Sequence, residues 1–85
     1  MRPEPAEILA RLAERFPGAQ IEVIDDSHLH AGHAGASGGA GHYTVRIVWS
    51  GFAGKLPVAR HRLVYDPLAD WMPERIHALS IHASA

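Results

Sequence analysis

Seven histidines in 85 residues, with no cysteine, set the chemistry open to this chain. Imidazole nitrogen is a good ligand for iron, zinc, copper and nickel. The missing thiols exclude a disulfide framework, a thiolate nucleophile and an all-cysteine metal site. His28, His30 and His33 fall together in a glycine-rich segment, and His42 follows it. A flexible backbone there lets the rings turn toward a metal or a partner. Their spacing matches no self-contained zinc motif such as His-Glu-x-x-His, so metal binding competes with a polar, solvated loop. His77 opens the last apolar segment in phase with Leu79 and Ile81, which their alternation marks as core-facing. That phase suits a core or margin histidine more than a ligand. His82 is out of phase and expected in solvent. His61, between Arg60 and Arg62, reads as part of a charged helix face with one aliphatic stem packed down.

The net charge of -1 conceals a segregation. No Asp or Glu occurs between Asp26 and Asp66, a stretch that carries Arg46, Lys55, Arg60 and Arg62 and five of the seven histidines. The rest holds all nine acids against Arg2, Arg11, Arg15 and Arg75. This asymmetry gives either a local positive field for an anionic partner or a plain solvated basic face. Enzyme readings find little support. Asp26-Ser27-His28 contains triad residue types, but adjacent residues do not converge on one substrate atom, and no nucleophile elbow is present. No paired carboxylates flank a plausible cleft. Gly51-Phe52-Ala53-Gly54 matches the GXXG loop of KH domains in letters, yet it falls between a strand and a helix rather than between two helices. It reads as a turn.

The elements that must position these residues follow from apolar period and breakers. Pro3-Glu4-Pro5-Ala6-Glu7 starts a helix, because proline suits the first turn and the glutamates suit the positive end of the dipole. Ile8, Leu12 and Phe16 recur four apart, with Leu9 and Ala13 beside them, and Pro17-Gly18 ends the helix. Residues 20–26 are rich in Ile and Val and read as a strand. Residues 27–41, with five glycines, are expected to be a long irregular loop. Residues 42–49 form the best strand, with Tyr43, Val45, Ile47 and Trp49 on one face and His42, Thr44, Arg46 and Val48 on the other. These two strands should form an antiparallel hairpin. Pro57 opens a second helix over residues 58–65. Asp66-Pro67 starts a third short one, with Leu68, Trp71 and Met72 apolar and Pro73 as its stop. Residues 76–82 close as a strand. The expected fold is one α+β domain over residues 1–85, with a three-stranded mixed sheet and helices on one face. No apolar run approaches the ~20 residues of a membrane span. Residues 1–9 lack the basic and apolar halves of a signal peptide, so a soluble, cytoplasmic protein is expected.

Taken together, these features resemble the BolA family. The resemblance centres on Phe52-Ala53-Gly54, five residues, and then Arg60-His61-Arg62-Leu63-Val64-Tyr65. It extends backward through Ile21-Glu22-Val23-Ile24-Asp25-Asp26-Ser27-His28 to His42-Tyr43, and forward through Leu68-Ala69 to His77-Ala78-Leu79-Ser80-Ile81. The resemblance implies a type II KH-like αββααβ fold. It implies a non-enzymatic protein that pairs with a monothiol glutaredoxin as a heterodimer to hold or transfer a [2Fe-2S] cluster. In such pairs glutaredoxin and glutathione supply thiolates, and the BolA-like partner supplies two ligands. One is a histidine at the start of the last strand, which matches His77. The other comes from the loop between the first two strands and matches His30, with His33 and His28 as alternates. No cofactor is expected on the isolated, monomeric chain. Two imidazoles on one iron and two thiolates on the other form a Rieske-like arrangement, which raises the reduction potential.

The family is also described as transcriptional regulators of stress response and morphology. That reading would use Arg60, His61, Arg62, Lys55 and Arg46 against duplex DNA, with salt-dependent phosphate contacts. The absence of a GXXG between the helices argues against a KH-type clamp. A third reading is incidental zinc or nickel binding by the loop histidines.

Overall fold

The four-residue spacing of Ile8, Leu12 and Phe16 builds the first layer. In a computed structural model, which describes residues 2–30 and 39–85, α1 runs Pro5–Arg15. Pro5 occupies its first turn, and the Glu4 backbone N–H donates to Glu7 Oε2 at 2.7 Å, satisfying the group just ahead of the helix. The buried stripe is narrow. Ile8, Leu12 and Phe16 are inside, while Leu9 and Ala13, expected beside them, face solvent.

Three strands form one sheet in the order β1 (Gln20–Asp25), β2 (Gly41–Val48), β3 (Ile76–Ser84). β1 and β2 are antiparallel, with Val23 opposite Val45 and Glu22 opposite Arg46. β2 and β3 are parallel, with Val45 beside Ile81 and Arg46 beside His82. A parallel pair needs a long crossover, and α2 (Pro57–Tyr65) followed by a 3-10 helix over Asp66–Trp71 supplies it. Alternation along the strands splits the sheet into two faces. Tyr43, Val45 and Ile47 of the central strand pack inward with Ile8, Leu12, Phe16, Phe52, Val64, Leu68 and Ile76. Ile21, Val23, Leu79, Ile81 and Ala83 flank that core from the edge strands. The opposite face carries Glu22, Arg46 and His82 in one row, all three exposed.

The turn after β2 is held by aromatic packing. Phe16, Trp49 and Phe52 form a triangle with centroids 5.1, 5.5 and 5.2 Å apart, and the Trp49 indole N–H donates to the Pro17 carbonyl at 3.1 Å. Arg11 joins α1 to the 3-10 helix. Its guanidinium lies 2.6 Å from Asp70 Oδ1 and 3.6 Å from the Trp71 ring centroid.

Two expectations need correction. Residues 27–41 are not wholly irregular: Ser27–His30 is a turn of 3-10 helix, and Gly41 already belongs to β2. The turn forms because Asp25 Oδ1 accepts the Ser27 N–H at 2.9 Å, the side-chain-to-backbone bond by which aspartate starts turns. His77 does not share the inward phase of Leu79 and Ile81. The register shifts between the Gly41–Ile76 and His42–Ala78 pairs, leaving His77 as the extra residue. Ile76 takes the buried position, and His77 is exposed. A bulge of this kind re-aims one side chain without breaking the sheet.

Candidate functional site

The bulge places His77 at the edge of the sheet where β2 begins. His42 is the second residue of that strand and is 6% exposed. The two rings lie 5.2 Å apart between centroids, tilted by 52°. An exposed imidazole therefore rests against a buried one.

The 3-10 turn Ser27–His30 is fastened to the same place. Ser27 Oγ accepts the His42 backbone N–H at 3.1 Å, and the Asp26 N–H donates to the His42 carbonyl at 2.7 Å. Thr44 Oγ1 donates to Asp26 Oδ2 at 2.5 Å. These bonds fix where residues 28–30 start relative to His42 and His77. His28 is exposed at the head of the turn. The backbone of His30 belongs to the turn, but its side chain and the whole of His33 lie outside the described residues. Among the described residues, no group of three or more His, Cys, Asp or Glu could hold a metal ion. Among the described residues, the donors at this corner are His77 and His28, with His42 buried beside His77. They fit a group whose remaining ligands come from elsewhere, and they offer nitrogen only.

Asp25 anchors this corner. Burial acts to raise its pKa, but the side-chain and backbone hydrogen bonds with Ser27, then Arg2 and His28, outweigh burial and hold the carboxyl below its usual range. Arg2 Nε lies 3.4 Å from Asp25 Oδ2. On the core side, the Tyr43 hydroxyl donates to the Pro3 carbonyl at 2.5 Å, and burial, with Asp25 adding to it, pushes the phenol up to about 12.

The basic residues divide between two places. Arg60 Nε donates to the Lys55 carbonyl at 3.0 Å, so these two share the start of α2, with Arg62 exposed two residues further on. His61 stacks near Tyr65, with centroids 6.5 Å apart. Arg46 stands on the outer sheet face, 3.9 Å from Glu22, because the antiparallel register sets those two residues opposite one another. A groove of about 540 Å³ brings Arg46 together with His61, His82 and Pro57. His82 is exposed, as expected. The sequence groups His42 with the histidines before it as a weak metal signal but does not show its contact with His77. Only a bulge at the start of β3 could have revealed that contact.

Comparison with known proteins gives one consistent answer. A family model described as BolA-like protein matches residues 12–85. The chain is 44% identical over 81 residues to SufE-like protein 1, chloroplastic/mitochondrial, of Arabidopsis thaliana, covering 89% of this chain and 22% of that protein. It is 42% identical over 72 residues to the DNA-binding transcriptional regulator BolA of Vibrio cholerae, covering 85% of this chain and 65% of that one. The chain therefore spans less than two thirds of either relative. The solved BolA domain of SufE1 from Arabidopsis thaliana superposes with a TM-score of 0.79 at 40% identity, over 94% of this chain and 88% of that one. Relatives carry plastid, mitochondrial and bacterial names, so the expected cytoplasmic location does not follow from them. Among the described residues, no helix is long and apolar enough to cross a membrane. With its fold, its Phe52-to-Tyr65 motif and its family model in agreement, this chain belongs to the BolA-like family.

Proposed function

We propose that this chain is a non-enzymatic partner of a monothiol glutaredoxin and helps hold a [2Fe-2S] cluster as cargo. The observation that carries the reading is His77, exposed by a bulge and seated against buried His42, near the turn Ser27–His30. In this reading His77 ligates one iron. His30 is the second ligand, with His33 and His28 as alternates. Glutathione and the glutaredoxin supply thiolates to the other iron. His42 is a positioning residue: at 6% exposure its ring is a poor donor to a cluster held by another protein, but it fixes the direction of the His77 ring. The ligands must be neutral to bind, so acid weakens the complex. Nitrogen ligation on one iron raises the reduction potential above that of an all-thiolate cluster.

The test is a set of histidine variants in the reconstituted heterodimer. His77→Ala abolishes the Rieske-like visible circular dichroism, and His30→Ala alters or weakens it. Unchanged spectra in both variants would remove these assignments.

A second reading rests on Lys55 and Arg60 at the start of α2 and on the name of the Vibrio relative. Here the chain binds duplex DNA through Lys55, Arg60, His61, Arg62 and Arg46. Reversing charge at Arg60 and Arg62 lowers affinity and flattens its salt dependence. No binding at low salt counts against this reading.

A further inference from the structure

Among the described residues β3 is an edge strand, and beyond the bulge at His77 its sequence carries no acidic, lysine or proline protection. Ile76–Ser84 contains no Lys, Asp, Glu or Pro, whereas natural edges are commonly blunted with charge or proline. The opposite edge, β1, carries Glu22 and Asp25. The Ser84 carbonyl accepts the Trp49 N–H at 2.9 Å, so Ser84 turns its backbone toward β2. By alternation Ser80 and His82 do the same, and Leu79, Ile81 and Ala83 direct their N–H and C=O groups outward. Among the described residues, no backbone hydrogen bond outside the β2 ladder is made by Leu79, Ile81 or Ala83. Ile81 stays partly exposed, although its β2 neighbour Val45 is fully buried.

The groove described above runs along this edge. It is lined by residues 81–84 of β3, with Pro57 and His61 of α2 and residues 46–48 of β2 as its two banks. Among the described residues no Asp or Glu lines it, and the carboxylate nearest its cation is Glu22 on β1, 3.9 Å from Arg46, with both side chains exposed. Leu56 and Val58, on either side of Pro57, are 71% and 65% exposed. A strand laid against β3 would turn alternate side chains to the two banks. One set would meet Pro57, Val58 and the His61 ring. The other would meet Arg46 and His82.

We propose that the open edge of β3 binds an extended segment of a partner protein in which apolar and acidic residues alternate. Main-chain bonds to Ile81 and Ala83 supply affinity, and the two banks supply specificity, the logic of strand addition. The proposal does not depend on cluster binding, because the groove lies near the end of β3 remote from His77. His77 and His82 are separated by five residues at about 3.3 Å each.

The probe is an eight-residue peptide of alternating valine and glutamate, with a valine–lysine peptide as control, titrated into the 15N-labelled chain at low salt. The glutamate peptide shifts the amides of Leu79, Ile81 and Ala83 and slows their hydrogen exchange, while the lysine peptide does not. Ala83→Pro removes one outward N–H and leaves the β2 ladder intact, a substitution edge strands tolerate. It weakens binding at least tenfold with an unchanged amide spectrum elsewhere. Arg46→Glu weakens binding and keeps the fold. Equal binding of both peptides, binding unaffected by Ala83→Pro, or shifts confined to Arg60 and Arg62 would each overturn the proposal. So would concentration-dependent self-association that Ala83→Pro abolishes, since that result assigns the edge to a second copy of this chain.

Discussion

Replacing Gly41 with alanine tests the packing that shapes the site. A Cβ built at Gly41 would come within 2.6 Å of Tyr43 Cζ, closer than real Cβ atoms approach a ring. The ring has no easy escape, because Tyr43 is 2% exposed and its hydroxyl is tied to the Pro3 carbonyl at 2.5 Å. Forcing a methyl into a packed interior costs about 1–3 kcal/mol. Stiffening the unfolded chain returns about 0.4–1 kcal/mol. From the middle of those ranges, the net expectation is a loss of about 1.3 kcal/mol. For a domain of this size each kcal/mol lowers Tm by roughly 4–8 °C. Urea denaturation followed by tryptophan fluorescence reads the change. The loss must shrink in a Tyr43→Val background, where the obstructing ring is gone, giving a coupling of about 0.5–3 kcal/mol between neighbours. Because Gly41 pairs with Ile76 at the register shift, the same substitution also disturbs the bulge that exposes His77. A Gly41→Ala protein as stable as the parent, or a loss that is the same with and without Tyr43, would refute this reasoning.

Other outcomes follow from the same contacts. Tyr43→Phe costs about 1 kcal/mol through the lost hydrogen bond. Because the folded phenol sits near 12 rather than 10.0, stability present below pH 10 falls as pH rises toward 12, and Tyr43→Phe removes that decline in alkaline denaturation curves. Phe52→Ala opens the triangle with Phe16 and Trp49 and costs about 3–5 kcal/mol, much of the ~5–15 kcal/mol typical of a whole domain, so calorimetry should show a severely lowered Tm. Asp25 has a depressed folded pKa, so it contributes stability above the unfolded carboxylate pKa that is lost as pH falls; Asp25→Asn flattens the acid limb of the stability profile.

The fold was legible wherever period and breakers agreed. The four-residue recurrence in α1, the alternation from Tyr43 to Trp49 and the Asp66-Pro67 start each describe a local constraint, and the structure keeps them. What escaped was set between strands. Nothing in the local spacing of Ile76 and His77 reveals that β3 slips one residue against β2, yet that slip turns His77 from a margin residue into an exposed one. Similarly, the acid-free run from Ser27 to Tyr65 suggested one basic surface. The register with β1 instead returns Glu22 to Arg46, while Lys55 and Arg60 gather at the start of α2. Ser27–His30 was read through its glycine-rich sequel and so missed as a turn, though Asp25 two residues before Ser27 carries the signal. The family motif around Phe52 and Arg60-His61-Arg62 was plain in the residues, and the family model agrees with it. The ligand set reaches this chain through the resemblance, with His77 placed by the structure and His33 outside the described residues.

The most direct test of the cluster reading is a reconstitution. The chain is mixed with a monothiol glutaredoxin, glutathione, iron and sulfide, and size-exclusion mass is recorded together with visible circular dichroism. The account predicts a 1:1 complex whose spectrum differs from that of the glutaredoxin homodimer and is lost with His77→Ala. A cluster that remains on a glutaredoxin homodimer while this chain elutes alone would contradict it.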